Sequence, residues 1–133
     1  MKNVLLVCIA LFVFGAVPPS SARAAQLVMI EEDGCMWCER WNREIGVVYS
    51  KTPEGMRAPL RRLNIHDPVP ADLRFLIKGG YTPTFVLIED GRDFGRIRGY
   101  PGEDFFWGML QQLLRKLPAS RSRPAPGITR TSN

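Results

Sequence analysis

The chain has 133 residues, of which 45% are hydrophobic and 23% are charged, so it is long enough for one globular domain and too short for two. A net charge of +5 could suggest binding to nucleic acid or to a membrane, but the excess lies at the two ends. Residues 25–117 carry 13 basic and 13 acidic side chains, so the folded body is neutral and no nucleic-acid partner is expected.

Residues 1–24 have the pattern of a secretory signal peptide. Lys2 precedes an apolar run from Val4 to Val17, and a Pro18-Pro19 break leads to the cleavage pattern Ala22-Arg23-Ala24. An uncleaved membrane anchor is the alternative, but a helix of this apolar run spans only about 21 Å, short of a ~30 Å hydrocarbon core. Cys8 would be removed with this segment, which leaves two cysteines in the mature chain.

The other end of the chain, residues 118–133, is expected to be a disordered basic tail. It contains three prolines and almost no apolar side chains, so it cannot bury enough surface to fold. Residues 25–117 are therefore expected to form the one folded domain, between a signal peptide and a tail.

Hydrophobic periodicity predicts alternating strands and helices within this domain. The first helix is marked by apolar side chains at spacings of four, four and three residues: Trp37, Trp41, Ile45 and Val48. The predicted elements in chain order are strand Gln26–Ile30, helix Cys35 to about Tyr49, strand Leu60–Ile65, helix Ala71–Lys78, strand Thr84–Ile88, strand Asp93–Arg98 and a helix from about Pro101 to Leu117. The order β-α-β-α-β-β-α predicts an α/β fold with a central mixed sheet flanked by helices.

Two cysteines separated by two residues, Cys35 and Cys38, follow the first predicted strand and open the first helix. The unpaired N–H groups at a helix N-terminus stabilise a thiolate, which is the nucleophile in disulfide exchange. Haem attachment would need a histidine after the second cysteine, where this chain has Glu39. Structural zinc would need four ligands, and His66 is the only strong candidate besides the two cysteines. The pattern favours a redox pair, with a Cu(I)-binding pair and a structural disulfide as alternatives.

A Thr-Pro pair stands at the start of the strand Thr84–Ile88. Proline is tolerated at the first position of any strand, so a structural explanation of Pro83 is open. The more specific hypothesis is a cis Thr82-Pro83 peptide bond that brings this backbone beside the two cysteines.

Three segments together resemble the thioredoxin family: Gly34-Cys35-Met36-Trp37-Cys38-Glu39-Arg40-Trp41, Tyr81-Thr82-Pro83-Thr84-Phe85-Val86-Leu87 and Arg98-Gly99-Tyr100-Pro101-Gly102-Glu103-Asp104-Phe105-Phe106-Trp107. The resemblance covers residues 26–117 and implies the compact thioredoxin fold and thiol-disulfide oxidoreductase activity. More narrowly, the segments resemble the periplasmic thioredoxin-like proteins of bacterial sulfur-oxidation (Sox) systems, the SoxS type.

This resemblance also implies roles and partners. By position, Cys35 is similar to the attacking cysteine, Cys38 to the resolving cysteine and Pro83 to the cis-proline. The Thr82 backbone would pair with an extended segment of the partner, and Met36-Trp37 would contact it. The implied partner is the thiosulfate-carrying SoxYZ complex, with a membrane thiol transporter as electron donor. A periplasmic monomer is expected, with the Cys35–Cys38 disulfide as its redox group and with no metal or other cofactor.

The chain departs from the common thioredoxin pattern at two places. Many thioredoxins carry a buried Asp six residues before the first cysteine, where this chain has Met29. The acids that could substitute for it as proton acceptor are Glu31, Glu32 and Glu39. Thioredoxins usually have Gly-Pro between the cysteines, whereas Met36-Trp37 intervene here, so the redox potential cannot be transferred. A thiol oxidase or isomerase therefore stays an alternative to a reductase.

Two other features are expected to be mainly structural. His66 lies in a turn after the second strand and is expected to have a surface or capping role. The run Phe105-Phe106-Trp107 cannot point wholly inward, so part of it is expected in the core and part at the surface, where it could contact a partner.

Overall fold

A four-stranded mixed sheet positions the other elements of residues 24–118, the part of the chain that the computed structural model describes. Its strands are β1 (Gln26–Glu31), β2 (Leu60–Asn64), β3 (Thr84–Glu89) and β4 (Arg92–Arg98), in the order β2-β1-β3-β4. β1 and β2 are parallel, whereas β3 is antiparallel to both of its neighbours, β1 and β4. The predicted mixed sheet is confirmed, whereas the predicted signal peptide and tail lie, except for Ala24 and Pro118, outside the described residues.

The two central strands are buried on both faces. Alternate residues of β1 and β3 enter a larger cluster on one face, which includes Leu27, Met29, Phe85 and Leu87. The residues between them enter a smaller cluster on the other face, which includes Val28, Ile30, Val86 and Ile88. Burial on both sides explains why these segments are continuous apolar runs rather than alternating ones.

The first helical region begins where it was predicted but has a different buried face. It consists of α1 (Met36–Trp41), a π-helical turn (Asn42–Gly46) and α2 (Val47–Tyr49). The wider π turn displaces the next inward position by one residue, so Tyr49 is buried and Val48 is exposed. Of the four apolar residues that marked the helix in the sequence, Trp41 and Ile45 are buried as expected. The other two, Trp37 and Val48, are exposed, so the predicted buried face is wrong at these positions.

A short helix absent from the sequence prediction, α3 (Pro53–Arg57), follows α2. Thr52 caps it, since its Oγ1 accepts a hydrogen bond from the Gly55 N–H at 3.1 Å. Gly55 is required by packing, because a Cβ at this position would lie 1.8 Å from the Tyr49 carbonyl oxygen.

The predicted helix over Ala71–Lys78 is wrong beyond its first turn. Only Ala71–Leu73 is helical, as a 3₁₀ turn, and the chain then runs without regular structure to Gly80. Leu73 and Leu76 fill the smaller cluster, and the Leu76 N–H donates to the Leu73 carbonyl at 2.7 Å. A segment this short between Pro70 and Gly79 cannot offset the cost of helix nucleation, and burial of two leucines decides its shape.

The hairpin and the closing helix agree with prediction. β3 and β4 are joined by Asp90-Gly91, both with positive φ, as a two-residue hairpin turn requires. The last helix, α4 (Glu103–Leu114), buries Phe106, Leu110, Leu113 and Leu114. Phe105 points outward, while Trp107 is half-buried and stacks on Tyr49. Across residues 24–118, no helix has the length and apolar character needed to cross a bilayer.

Candidate active site

The two cysteines lie at the junction between β1 and α1, joined as a disulfide with a Cα–Cα distance of 5.2 Å. Gly34, with φ of +76°, turns the chain from the strand into the helix. Cys35 is the N-cap of α1, and its Sγ accepts a hydrogen bond from the Cys38 N–H at 3.1 Å. The same N–H would stabilise a thiolate on Cys35 once the disulfide is reduced.

The two sulfur-bearing residues differ in their access to solvent. Cys35 is partly exposed, whereas Cys38 is only 3% exposed and belongs to the larger core cluster. Between them, Met36 is 70% and Trp37 is 47% exposed. A partner protein can therefore approach Cys35 over Met36 and Trp37 while Cys38 stays shielded.

The loop before β3 lies against the cysteine loop. The Thr82-Pro83 peptide bond is cis, and Pro83 is buried. Thr82 Oγ1 donates a hydrogen bond to Glu32 Oε1 at 2.5 Å, which joins the two loops. Within residues 24–118, the Thr82 N–H and carbonyl make no hydrogen bond. The structure thus places Cys35, Met36, Trp37 and Cys38 together at the start of α1, and it joins the loop of Thr82 and Pro83 to Glu32, three residues before Cys35.

A network on the helix side of the cysteines was not foreseen. The Arg40 guanidinium lies 5.8 Å from the Trp37 ring centroid and 5.9 Å from that of Tyr100. Glu44 accepts hydrogen bonds from Arg40 Nε at 2.8 Å and from the Tyr100 hydroxyl at 2.6 Å. The opposite charges of Arg40 and Glu44, four residues apart, indicated their ion pair in the sequence. Nothing local pointed to the contact with Tyr100.

These contacts shift the titration of their members. The hydrogen bonds from Arg40 and then from Tyr100 lower the pKa of the Glu44 carboxyl below its ordinary value. Burial, reinforced by the hydrogen bond to Glu44, raises the pKa of Tyr100 above its ordinary value. The folded state therefore favours a charged Glu44 and a neutral Tyr100.

Acid should weaken the fold through Glu44. Because its pKa is lower in the folded state, its stabilisation is complete above its ordinary pKa of 4.5 and is lost as the pH falls through the folded value. Glu44→Gln should therefore be less stable than wild type at neutral pH, and the difference should shrink as the pH falls below 4.5. Urea midpoints across this range would measure it, with Glu39→Gln on the same helix as the control. A constant difference at every pH would contradict the expectation.

Met29 occupies the place where many thioredoxins have a buried acid. Met29 is fully buried, and its Sδ lies 3.7 Å from Arg62 Nη1. Arg62 also donates to Glu31 Oε2 at 2.6 Å and to Asn42 Oδ1 at 2.7 Å. Of the three acids considered as substitutes, Glu31 is paired with Arg62, Glu32 accepts from Thr82, and Glu39 is exposed on α1.

His66 is exposed, as expected, and its main-chain N–H donates a hydrogen bond to Asn64 Oδ1 at 2.9 Å. Its imidazole Nε2 lies 3.4 Å from Glu32 Oε2, a contact that the sequence did not suggest.

Comparison with known proteins identifies the family. No protein-family model and no curated protein sequence matches the chain. Among solved structures, it is 45% identical to the periplasmic thioredoxin SoxS from Paracoccus pantotrophus in its reduced form, with a TM-score of 0.65 and coverage of 69% of this chain and 97% of that one.

Two more distant structures share the fold. The Malassezia sympodialis thioredoxin is 17% identical, with a TM-score of 0.51 over 68% of this chain and 77% of that one. A Thermus thermophilus thioredoxin is 19% identical, with a TM-score of 0.53 over 70% and 75%. At such identities the likeness shows the thioredoxin fold alone. The identity to SoxS, together with the Cys35–Cys38 disulfide, goes further: the chain belongs to the SoxS type of the thioredoxin family and is a thiol-disulfide oxidoreductase.

Proposed function

We propose that this chain is a periplasmic reductase that restores a disulfide-bonded or blocked cysteine on a partner protein, the SoxYZ sulfur carrier. The observation that carries the proposal is the asymmetry of the cysteine pair. Cys35 is partly exposed, and its Sγ accepts a hydrogen bond from the Cys38 N–H. Cys38, by contrast, is buried. Similarity to the periplasmic thioredoxin SoxS supports both the compartment and the Sox partner.

The reaction would proceed by two thiol-disulfide exchanges. The Cys35 thiolate attacks a sulfur of the partner disulfide, the partner S–S bond breaks, and a Cys35–partner disulfide forms. Cys38 then loses its proton and attacks the Cys35 sulfur, which releases the second partner sulfur as a thiolate. Two electrons pass from the cysteine pair to the partner, whose thiolates take up protons, and the Cys35–Cys38 disulfide remains.

The loop before β3 would orient the partner. The Thr82 N–H and carbonyl would pair with an extended segment next to the partner cysteine, as in strand addition. Met36 and Trp37 would contact that segment from the other side, because both are exposed between the cysteines. Pro83, buried beneath this edge, would hold the Thr82 backbone towards Cys35.

The proposal requires a source of electrons. The periplasm is oxidising, so a reductase there has to be recharged, and a membrane thiol transporter is the proposed donor. An oxidase or isomerase would use the same cysteines. A reductase and an oxidase transfer electrons in opposite directions, and they differ in the reduction potential of the cysteine pair.

The reduction potential of Cys35–Cys38 tests the proposed direction. The mature protein is equilibrated in glutathione or dithiothreitol buffers, and the redox state is followed by Trp37 and Trp41 fluorescence or by thiol labelling. We expect a value of about −270 mV, the range of thioredoxin, and a value of about −120 mV, that of DsbA, would refute the reductase. Reduction of oxidised SoxYZ by the reduced protein, with Cys35→Ser as the inactive control, tests the partner.

A further inference from the structure

Glu32 joins three segments at one end of the sheet. Its Oε1 accepts the hydrogen bond from Thr82 Oγ1 at 2.5 Å, and its Oε2 lies 3.4 Å from His66 Nε2. Its main-chain carbonyl accepts from the Cys35 N–H at 3.4 Å. One residue therefore contacts the cysteine loop, the loop after β2 and the loop before β3.

The contact with Thr82 is the strongest of the three. An O–H donating to a carboxylate is a short, charge-assisted hydrogen bond, and the Glu32 side chain is partly shielded, at 38% exposure. His66 contributes less, because its side chain is 78% exposed and the separation is longer. The Thr82 hydroxyl is thus the group that Glu32 chiefly holds.

Neighbouring charges are committed elsewhere. Glu31 pairs with Arg62, and Lys78 donates to the carbonyls of Ile65 and Asp67 in the loop that carries His66. Asp33 is exposed. The Glu32 carboxylate is therefore the acidic group of this loop that reaches the segment before β3.

We propose that Glu32 is a positioning residue for partner docking. By holding the Thr82 hydroxyl, it fixes the Thr82 backbone, with which an extended polypeptide disulfide would pair. The reaction favours a polypeptide disulfide, which uses the Thr82 backbone, over a small disulfide, which reaches Cys35 without it. This inference rests on the proposed function, since it concerns how the partner of that same site is held.

The test compares two disulfides with a set of variants. Reduced protein is assayed with a disulfide-bonded peptide and with bis(2-hydroxyethyl) disulfide. Glu32→Ala should raise KM for the peptide by about fivefold to tenfold, the equivalent of one hydrogen bond, with a much smaller change in kcat. The ratio of kcat/KM for peptide to that for the small disulfide should fall by the same factor.

Further variants separate positioning from charge and from folding. Glu32→Gln keeps an oxygen that accepts from Thr82 and should restore most of the peptide KM, while Asp33→Asn, the matched control in the same loop, should behave as wild type. Thr82→Val should reproduce Glu32→Ala, and the double variant should be no worse than either single one, because both changes remove one contact. Thermal unfolding of each variant verifies that it is folded.

Several results would overturn the inference. An unchanged peptide-to-small-disulfide ratio in Glu32→Ala, equal losses in Glu32→Ala and Glu32→Gln, or additive losses in the double variant would each do so. If wild type prefers the peptide and Glu32→Ala keeps that preference, only the positioning role fails. If wild type shows no preference and has an oxidising potential, the proposed reductase fails as well.

Discussion

Replacing Cys38 with alanine is expected to turn the protein into a trap for its partner. Cys35 would still be partly exposed and would still form the mixed disulfide, but the buried sulfur that resolves it would be gone. Turnover should fall to the uncatalysed background, and a covalent complex should accumulate. Non-reducing electrophoresis and mass spectrometry of Cys38→Ala after incubation with an oxidised partner would detect this complex.

The matched variant for this experiment is Cys35→Ser. It removes the exposed sulfur and leaves the buried one, so it should lose turnover without capturing a partner. The double variant Cys35→Ser/Cys38→Ala provides the baseline for non-specific adducts. Capture by Cys35→Ser at the same level as by Cys38→Ala would show that Cys38 can attack, contrary to the assigned roles.

Trp41→Ala should cause the largest loss of stability in the domain, about 3–5 kcal/mol. Trp41 is fully buried, and its ring centroid lies 5.1 Å from that of Phe85, 5.7 Å from that of Phe106 and 6.0 Å from that of Tyr49. Removing the indole opens a cavity between α1, β3 and α4, which cannot close without moving the helix that carries both cysteines. A domain with a typical stability of about 5–15 kcal/mol would be left marginal.

Denaturant unfolding of the oxidised mature protein measures this loss. Trp41→Phe is the milder variant: it keeps an aromatic ring, and the indole N–H that it removes has no hydrogen-bond acceptor among residues 24–118. Trp41→Phe should lower the free energy of unfolding by about half as much as Trp41→Ala, or less. Trp37→Ala, at a site 47% exposed, is the surface control and should cost about 1 kcal/mol or less. A loss below about 1 kcal/mol for Trp41→Ala would show that this ring cluster does not hold the core.

The parts of the fold that could be predicted are those set by local chemistry. The two continuous apolar runs became β1 and β3 because both are buried on both faces. Asp90-Gly91 became a tight hairpin turn because both residues tolerate positive φ. The cysteine pair at the end of a strand and the start of a helix required no information from elsewhere in the chain.

The parts that could not be predicted depend on residues distant in sequence. The segment Ala71–Lys78 has helical propensity, yet packing of Leu73 and Leu76 against the sheet outweighs it. The π turn after Trp41 places Tyr49 rather than Val48 in the core. The local spacing of apolar residues predicts neither the irregular segment nor the π turn.

The same division applies to the active site. Its chemistry follows from local sequence, since a thiol pair at a helix start can exchange disulfides in any orientation of the surrounding loops. The groups around that pair depend on contacts between distant segments: Glu32 accepts from Thr82, and Arg40 lies against the rings of Trp37 and Tyr100. The reason is geometric: Glu32 and Thr82 are 50 positions apart in the sequence and Glu44 and Tyr100 are 56 apart, so only the folded chain brings each pair together.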